Sequence, residues 1–196
     1  MPEGPRILCV HGSPRKGGNT DLLLDRLAEG AAGAGAAVEH LYCRDLTILP
    51  CTGCGACAVT GECAITDDDM AVVYERFDAA DAVAVGAPVY FLGPPAPLKA
   101  LIDRFQTRWS RLHVLDRPPE RIRPGAVVST AGTQVHSVFT CFHRVMEAWF
   151  EVLGVEGRMN LFFEGVDARG AVRSHPCAMD EALAVGERLA RMEAKG

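Results

Sequence analysis

The chain has 196 residues, 48% of them hydrophobic and 23% charged, with a formal net charge of −5. That is the size and composition of one globular domain with a sizeable core, and it excludes a disordered chain. The acidic balance and the lack of a basic run exclude nucleic acid and anionic membrane surfaces as expected partners.

No apolar stretch reaches bilayer-spanning length, and Met1–Pro5 leads almost directly into a strand-like run. The expectation is therefore a cytoplasmic protein with no signal peptide and no membrane partner.

In chain order, Arg6–Val10 reads as a buried strand and Asp21–Glu29 as a helix with Leu22, Leu23 and Leu27 on one face. Ala31–Ala37 is a plain connection to a second strand, Val38–Tyr42. Asp69–Ala80 carries Met70, Val73 and Phe77 at helical spacing. Ala82–Gly86 is nearly all apolar, as a central parallel strand covered on both faces must be. Leu98–Leu112 predicts one helix with the stripe Leu98, Leu101, Ile102, Phe105, Trp109 and Leu112.

Ala126–Thr130 is a fourth strand, and Val138–Leu153 the strongest helix, with Gly154 placed as its C-terminal cap. Met159–Phe163 is the fifth strand and Pro176–Met192 the closing helix. Alternating strands and helices predict an α/β fold, a five-stranded parallel sheet with helices on both faces. The chain reads as a single domain, 1–196, with a cysteine-rich insertion at about 43–68. That insertion and Pro88–Pro97 both follow strands, so they emerge at the carboxyl edge of the sheet, where ligands bind.

The first strand runs into Gly12-Ser13-Pro14-Arg15-Lys16-Gly17-Gly18-Asn19-Thr20 and then a helix. Glycines let backbone wrap an anion, Ser13, Asn19 and Thr20 offer side-chain donors, and the helix start favours negative charge. The loop lacks both the Walker lysine and the Gly-x-Gly-x-x-Gly pattern. A monophosphate such as that of FMN therefore fits better than a pyrophosphate. Arg15 and Lys16 are open between neutralising that phosphate, reaching a second phosphate of a nicotinamide cofactor, and lying solvated.

Cys51-x2-Cys54-x2-Cys57-x5-Cys63 places four of eight cysteines in one short run, with Gly53, Gly55 and Gly61 allowing tight turns. Such spacing lets several thiolates converge, as in the bacterial ferredoxin run. The readings are a 4Fe–4S cluster, a cluster-free thiol loop, structural zinc and a disulfide. Zinc more often takes two separated Cys-x2-Cys knuckles. Cys9, Cys43, Cys141 and Cys177 read as small hydrophobes without a role. Asp67-Asp68-Asp69 reads as helix capping, and Lys99 with Asp103 as an i,i+4 ion pair. His136 and Ser137 close the loop after the fourth strand. They and the remaining side chains offer no evident catalytic residue, as expected where a cofactor carries the chemistry.

Gly12–Thr20, the cysteine run, Asp68-Asp69-Met70, Ala87-Pro88-Val89-Tyr90 and Leu98-Lys99…Ile102-Asp103-Arg104 resemble the NADPH-dependent FMN reductase family, in its iron–sulfur flavoprotein branch. The resemblance covers the first two thirds well and the last third weakly. It implies a flavodoxin-like three-layer sandwich with strand order 2-1-3-4-5, bound FMN, and a homodimer or homotetramer with flavin sites near subunit contacts, to which Asp103-Arg104 would contribute.

Carried over, Ser13, Arg15, Gly18, Asn19 and Thr20 would hold the phosphate, and Pro88, Val89, Tyr90, Phe91, Leu92 and Gly93 would line the flavin ring. Ala131 and Gly132 would approach from the other side, and Cys51, Cys54, Cys57 and Cys63 would hold the cluster. The expected function is an FMN-dependent oxidoreductase passing electrons between a donor, a 4Fe–4S cluster and FMN. The alternatives are a cluster-free NAD(P)H-dependent reductase of FMN, quinone or a small molecule, and a non-catalytic flavin-binding redox sensor. The redox partner is a small molecule or a protein.

Overall fold

A computed structural model describes residues 4–192. Five parallel strands, β1 (Arg6–His11), β2 (Ala37–Tyr42), β3 (Ala82–Pro88), β4 (Arg123–Thr130) and β5 (Val155–Phe163), form one sheet in the order β2-β1-β3-β4-β5. The helices are α1 (Asn19–Gly33), α2 (Ala56–Thr60), α3 (Met70–Ala79), α4 (Ala96–Arg104), α5 (Gln106–His113), α6 (Thr140–Val152) and α7 (Ala178–Arg191). This is the flavodoxin-like sandwich, and its strand order matches the expected one.

Alternation along the strands builds two cores. Leu8 and Val10 of β1, Val83 and Val85 of β3 and Val127 of β4 pack with Val73, Phe77, Leu101, Phe142 and Met146. Ile7, Cys9, Ala82, Ala84, Ala126 and Val128, one residue out of step, pack with Leu23, Leu24, Leu27, Ala182, Val185 and Leu189. Period-two side chains on a sheet covered on both faces require this. In the first core Phe77, Phe105 and Trp149 form an aromatic cluster with ring centroids 4.9–5.6 Å apart.

On the other face α1 and α7 touch backbone to backbone. Gly30 and Gly186 sit at the crossing, where a Cβ on either would run into a carbonyl of the opposite helix. Helix α1 continues through Gly33, so it takes up part of the Ala31–Ala37 connection.

Three expectations need correction. The helix predicted over Leu98–Leu112 is two helices that meet at Phe105. The Tyr74 hydroxyl donates to the Arg104 carbonyl at 2.7 Å, an acceptor that helical continuation would require, and Arg108 N–H turns to Phe105 O instead. The reoriented α5 buries Thr107 and Ser110 and leaves Trp109 half exposed rather than in the stripe. Second, Cys141 is exposed on α6 rather than buried, whereas Cys9 and Cys43 are buried as expected. Third, Arg104 is wholly buried inside the chain, which excludes it from a subunit contact. Lys99 does pair with Asp103, at 2.6 Å.

Candidate functional site

The loops at the carboxyl ends of β1, β3, β4 and β5 converge on a cavity of about 100 Å³. From the first loop and the start of α1 come Ser13, Arg15, Gly18, Asn19 and Thr20. Pro88, Val89 and Tyr90 follow β3, Ala131 and Gly132 follow β4, and Val166, Asp167 and Arg169 follow β5. Ten of the residues carried over from the resemblance therefore share one cavity. Phe91, Leu92 and Gly93 stand outside its lining.

Local bonding explains the shape of the first loop. Ser13 Oγ accepts the Arg15 N–H at 3.2 Å, and Gly18 N–H bonds Arg15 O at 3.1 Å. Gly17 adopts φ +65° and donates its N–H to Asp21 Oδ2 at 2.9 Å. The first-turn N–H groups of α1 have no partner within the helix, and a helix start of this kind favours negative charge. The Asn19 side chain is engaged elsewhere. Its Nδ2 donates to Ala168 O at 2.9 Å and its Oδ1 accepts Val172 N–H at 3.4 Å, tying α1 to the segment after β5.

Sequence reasoning missed the braces of this loop. Asp21 is buried and receives Arg44 Nη1 at 2.9 Å, and the same Arg44 nitrogen reaches Ser13 O at 3.3 Å. Burial pushes the Asp21 carboxyl up, but His11, the Gly17 N–H and Arg44 outweigh it and hold the group below its usual range. Arg169 donates to the carbonyls of Lys16 and Gly17 from the far loop. The available signal was the polarity of His11 and Asp21 at positions facing inward beside a glycine loop.

After β3, Tyr90 and Gly93 exchange backbone bonds at 2.8 and 3.0 Å, closing a two-residue turn over Phe91 and Leu92. Both have positive φ, 48° and 65°, and Phe91 is fully exposed. Left-handed backbone costs a non-glycine residue about 1–2 kcal/mol, and strain of this kind persists mostly at functional sites. Phe91→Gly is expected to raise unfolding free energy by up to about 1 kcal/mol, after the entropy of glycine in the unfolded chain is subtracted. Urea unfolding of the variant against wild type checks this.

The second site is the cysteine loop. Cys51, Cys54, Cys57 and Cys63 all line one cavity of about 260 Å³ with Arg104, Thr107, Trp109 and Ser110. All four are free thiols. Gly53, Gly55 and Gly61 take φ +66°, +76° and +81°, the left-handed turns expected of them, and helix α2 fills the space between Gly55 and Gly61. Ser110 Oγ donates to Cys57 Sγ at 3.3 Å, and Ile65 N–H to Cys63 Sγ at 3.4 Å.

Arg104 holds the loop in place. It donates to Leu49 O at 2.8 Å, to Ile65 O at 2.9 Å and to both carboxylate oxygens of Asp68, whose side chain is as inaccessible as its own. Its Nε is buried without a partner on the cavity wall. Burial by itself would lower the guanidinium, but Asp68 and Cys63 push it up. Asp68 also accepts Met70 N–H at 3.1 Å, so the expected capping is present, but the buried ion pair is its larger role. At the neck of the loop Asp69 N–H donates to Thr47 O and Thr47 N–H to Asp69 Oδ2, at 3.1 and 2.7 Å.

By contrast Cys9 and Cys43 are buried thiols pushed up to about 12, mainly by desolvation, and remain protonated. His136 lies exposed, 3.4 Å from Glu164. No helix among the described residues is long and apolar enough to cross a membrane.

An iron-sulfur flavoprotein of Methanosarcina thermophila is 41% identical over 99 residues, 50% of this chain and 51% of that protein. One from Archaeoglobus fulgidus is 35% identical over 146 residues, 74% of this chain and 63% of its own length. The chain thus spans between half and two thirds of these relatives. Among solved structures, an NAD(P)H:quinone oxidoreductase from Methanothermobacter marburgensis superposes with a TM-score of 0.70 at 18% identity. The superposition covers 95% of this chain and 97% of that one, a likeness of fold. The model of one family, described as NADPH-dependent FMN reductase, matches residues 5–155, and the chain belongs to that family.

Proposed function

We propose that this chain is a cytoplasmic FMN-dependent oxidoreductase that holds a 4Fe–4S cluster in its cysteine loop and passes electrons between a donor, the cluster and FMN. The observation that carries the reading is the convergence of all four cysteines of the run on one cavity, beside a buried guanidinium with an unpartnered Nε. Thiolate sulfurs on a cluster accept hydrogen bonds and carry net negative charge. Ser110, the Ile65 N–H and Arg104 supply what such a group needs.

When bound, FMN supplies hydride and two-electron chemistry, and the cluster supplies single-electron chemistry. The residues of this chain bind and orient. The Ser13 hydroxyl, the first-turn N–H groups of α1, the Thr20 hydroxyl and the Arg15 guanidinium receive the phosphate, while Gly18 lets the backbone come close. Asn19 fixes α1 against the far loop and contributes through its backbone.

Pockets that enclose a whole small-molecule ligand run to about 300–1,000 Å³. The cavity here is about 100 Å³, so it would hold the phosphate end, and Pro88–Gly93 would line the ring. Ala131 and Gly132 bound the opposite side. The exposed Tyr90, Phe91 and Leu92 make an open ring side that a second copy would cover, which supports a homodimer or homotetramer. NAD(P)H is the proposed reductant, and the partner a small molecule or a redox protein. The cluster-free NAD(P)H-dependent reductase is the second reading, favoured by the family's own description.

The test is a visible spectrum of anaerobically purified protein, with iron and acid-labile sulfide assayed on the same sample. The expected result is a flavin spectrum under broad sulfur-to-iron absorption, with about four irons per chain that disappear in Cys54→Ser. A two-band flavin spectrum without iron selects the second reading. No flavin after FMN is added overturns both.

A further inference from the structure

Behind the phosphate loop, on the face away from the cysteines, lies a cluster that flavin binding does not use. His11 ends β1 with a fully buried side chain, His40 lies on the neighbouring edge strand β2, and Asp25 projects from the second turn of α1. His11 Nε2 is 2.8 Å from His40 Nδ1 and 3.9 Å from Asp25 Oδ1, and one ligand atom from each of the three lies within 4.8 Å of the others. We propose that His11, Asp25 and His40 form a site for one divalent late transition-metal ion of the zinc, cobalt or nickel class.

The carboxylate behind His11 sets the chemistry. Asp21 Oδ1 stands 3.1 Å from His11 Nδ1, on the side of the ring away from His40. Arg44 and the Gly17 N–H occupy the other oxygen of Asp21. A carboxylate oxygen at Nδ1 can accept its N–H, the arrangement in which Nε2 presents its lone pair toward His40 and Asp25. Metal-ligating histidines are held this way, with the second ring nitrogen bonded to a carboxylate.

Two imidazoles and one carboxylate suit late first-row ions rather than calcium or magnesium, which take oxygen ligands. Ligand atoms about 2.0–2.1 Å from a tetrahedral ion lie about 3.3 Å apart. The nitrogen pair must open by about half an ångström and Asp25 close by about as much. Asp25 is half exposed and His40 half-buried, so both have room, and solvent reaches the remaining coordination position.

Three elements then meet at one ion: β1, the edge strand β2 and α1. Through Asp21 the ion also joins the Gly17 N–H of the phosphate loop. The site would fasten the edge strand and stiffen the loop without touching flavin, and it stands independently of the function proposed above.

The experiment is a Zn²⁺ titration of the full chain against a chromophoric chelator, with thermal melting at each ratio, for wild type, His40→Ala and Asp25→Asn. The cysteines are present in all three proteins, so their zinc cancels in the comparison. Wild type should bind one equivalent more than either variant and should gain melting temperature on zinc addition beyond any gain in the variants. With Co²⁺ the extra equivalent should show weak visible bands without thiolate charge transfer. Asp25→Asn changes a half-exposed side chain and keeps the test open should His40→Ala fail to fold. Equal stoichiometry and equal melting shifts in wild type and Asp25→Asn overturn the site.

Discussion

Arg104→Met is expected to cost about 3–5 kcal/mol, the range for leaving one member of a buried ion pair unpaired. The side chains of Arg104 and Asp68 are both inaccessible to solvent. The substitution strands the Asp68 carboxylate and also frees the Leu49 and Ile65 carbonyls at the two ends of the cysteine loop. Urea unfolding should report the loss as a lower midpoint, and limited proteolysis should cut within 50–67 before the sheet opens. Adding Asp68→Leu should recover part of the loss, because an apolar pair can replace a buried ionic one. Recovery stays partial because the Leu49 and Met70 N–H groups lose their acceptor.

The pair also fixes a pH response. Burial pushes Asp68 up, but the bonds from Arg104, Leu49 N–H and Met70 N–H outweigh it and hold the carboxyl below the ordinary value. A folded pKa below the unfolded one adds stability at all pH above the unfolded value, near 3.9. That contribution drains away as pH falls through the folded value. Without Arg104 the burial contribution remains and the largest opposing one is gone, so the folded value rises toward or above the unfolded one; the acid loss of melting temperature should be shallower in Arg104→Met, and its deficit against wild type should shrink as pH falls. An acid limb identical in wild type and Arg104→Met would count against the pair as the loop's fastener.

Gly186→Ala should be strongly destabilising for a change of one methyl group. Its Cβ would overlap the Leu27 carbonyl oxygen and lie 2.8 Å from Leu27 C and 2.9 Å from Ala31 N. These are backbone atoms of α1, so no rotamer relieves the clash and the helices must part. Gly30 presents the mirror problem, with Leu183 C at 3.0 Å. In an open helix the change from glycine to alanine gains about 1 kcal/mol. Overpacking of about 3 kcal/mol or more should reverse that sign here. Gly33→Ala, on the same α1 with nothing within 4 Å of the new Cβ, is the control and should be neutral or stabilising. Calorimetric melting of both variants decides the matter. Equal effects would mean that the helix contact is soft.

What the sequence disclosed followed from local chemistry. The strands were readable because a sheet covered on both faces must be apolar. The loop between the first strand and helix stood out because glycines, hydroxyls and a helix start fall in consecutive order, and the cysteine run because its spacing is short. The break at Phe105 was hidden because its cause, the Tyr74 hydroxyl, lies 30 residues earlier in the chain. Arg104 was read as an outward-facing residue since nothing local announces a partner 36 residues away. Arg169 reaches the phosphate loop across some 150 residues, a contact only the closed sheet creates. Asn19 was legible as a donor, but its acceptor after β5 was not.

The reciprocal bonds between Thr47 and Asp69 bear on how such a chain can be altered over time. They close the cysteine segment at its base, and Arg104 pins it from beneath, so whatever lies between 50 and 67 is a bight whose two feet are already together. Closing a loop of different length on fixed feet changes the entropy only slowly. Insertion, loss or exchange of the cysteine stretch should therefore leave the sheet and the cavity at its carboxyl edge undisturbed. The architecture permits one sheet scaffold to change what it carries at that edge by swapping a cassette.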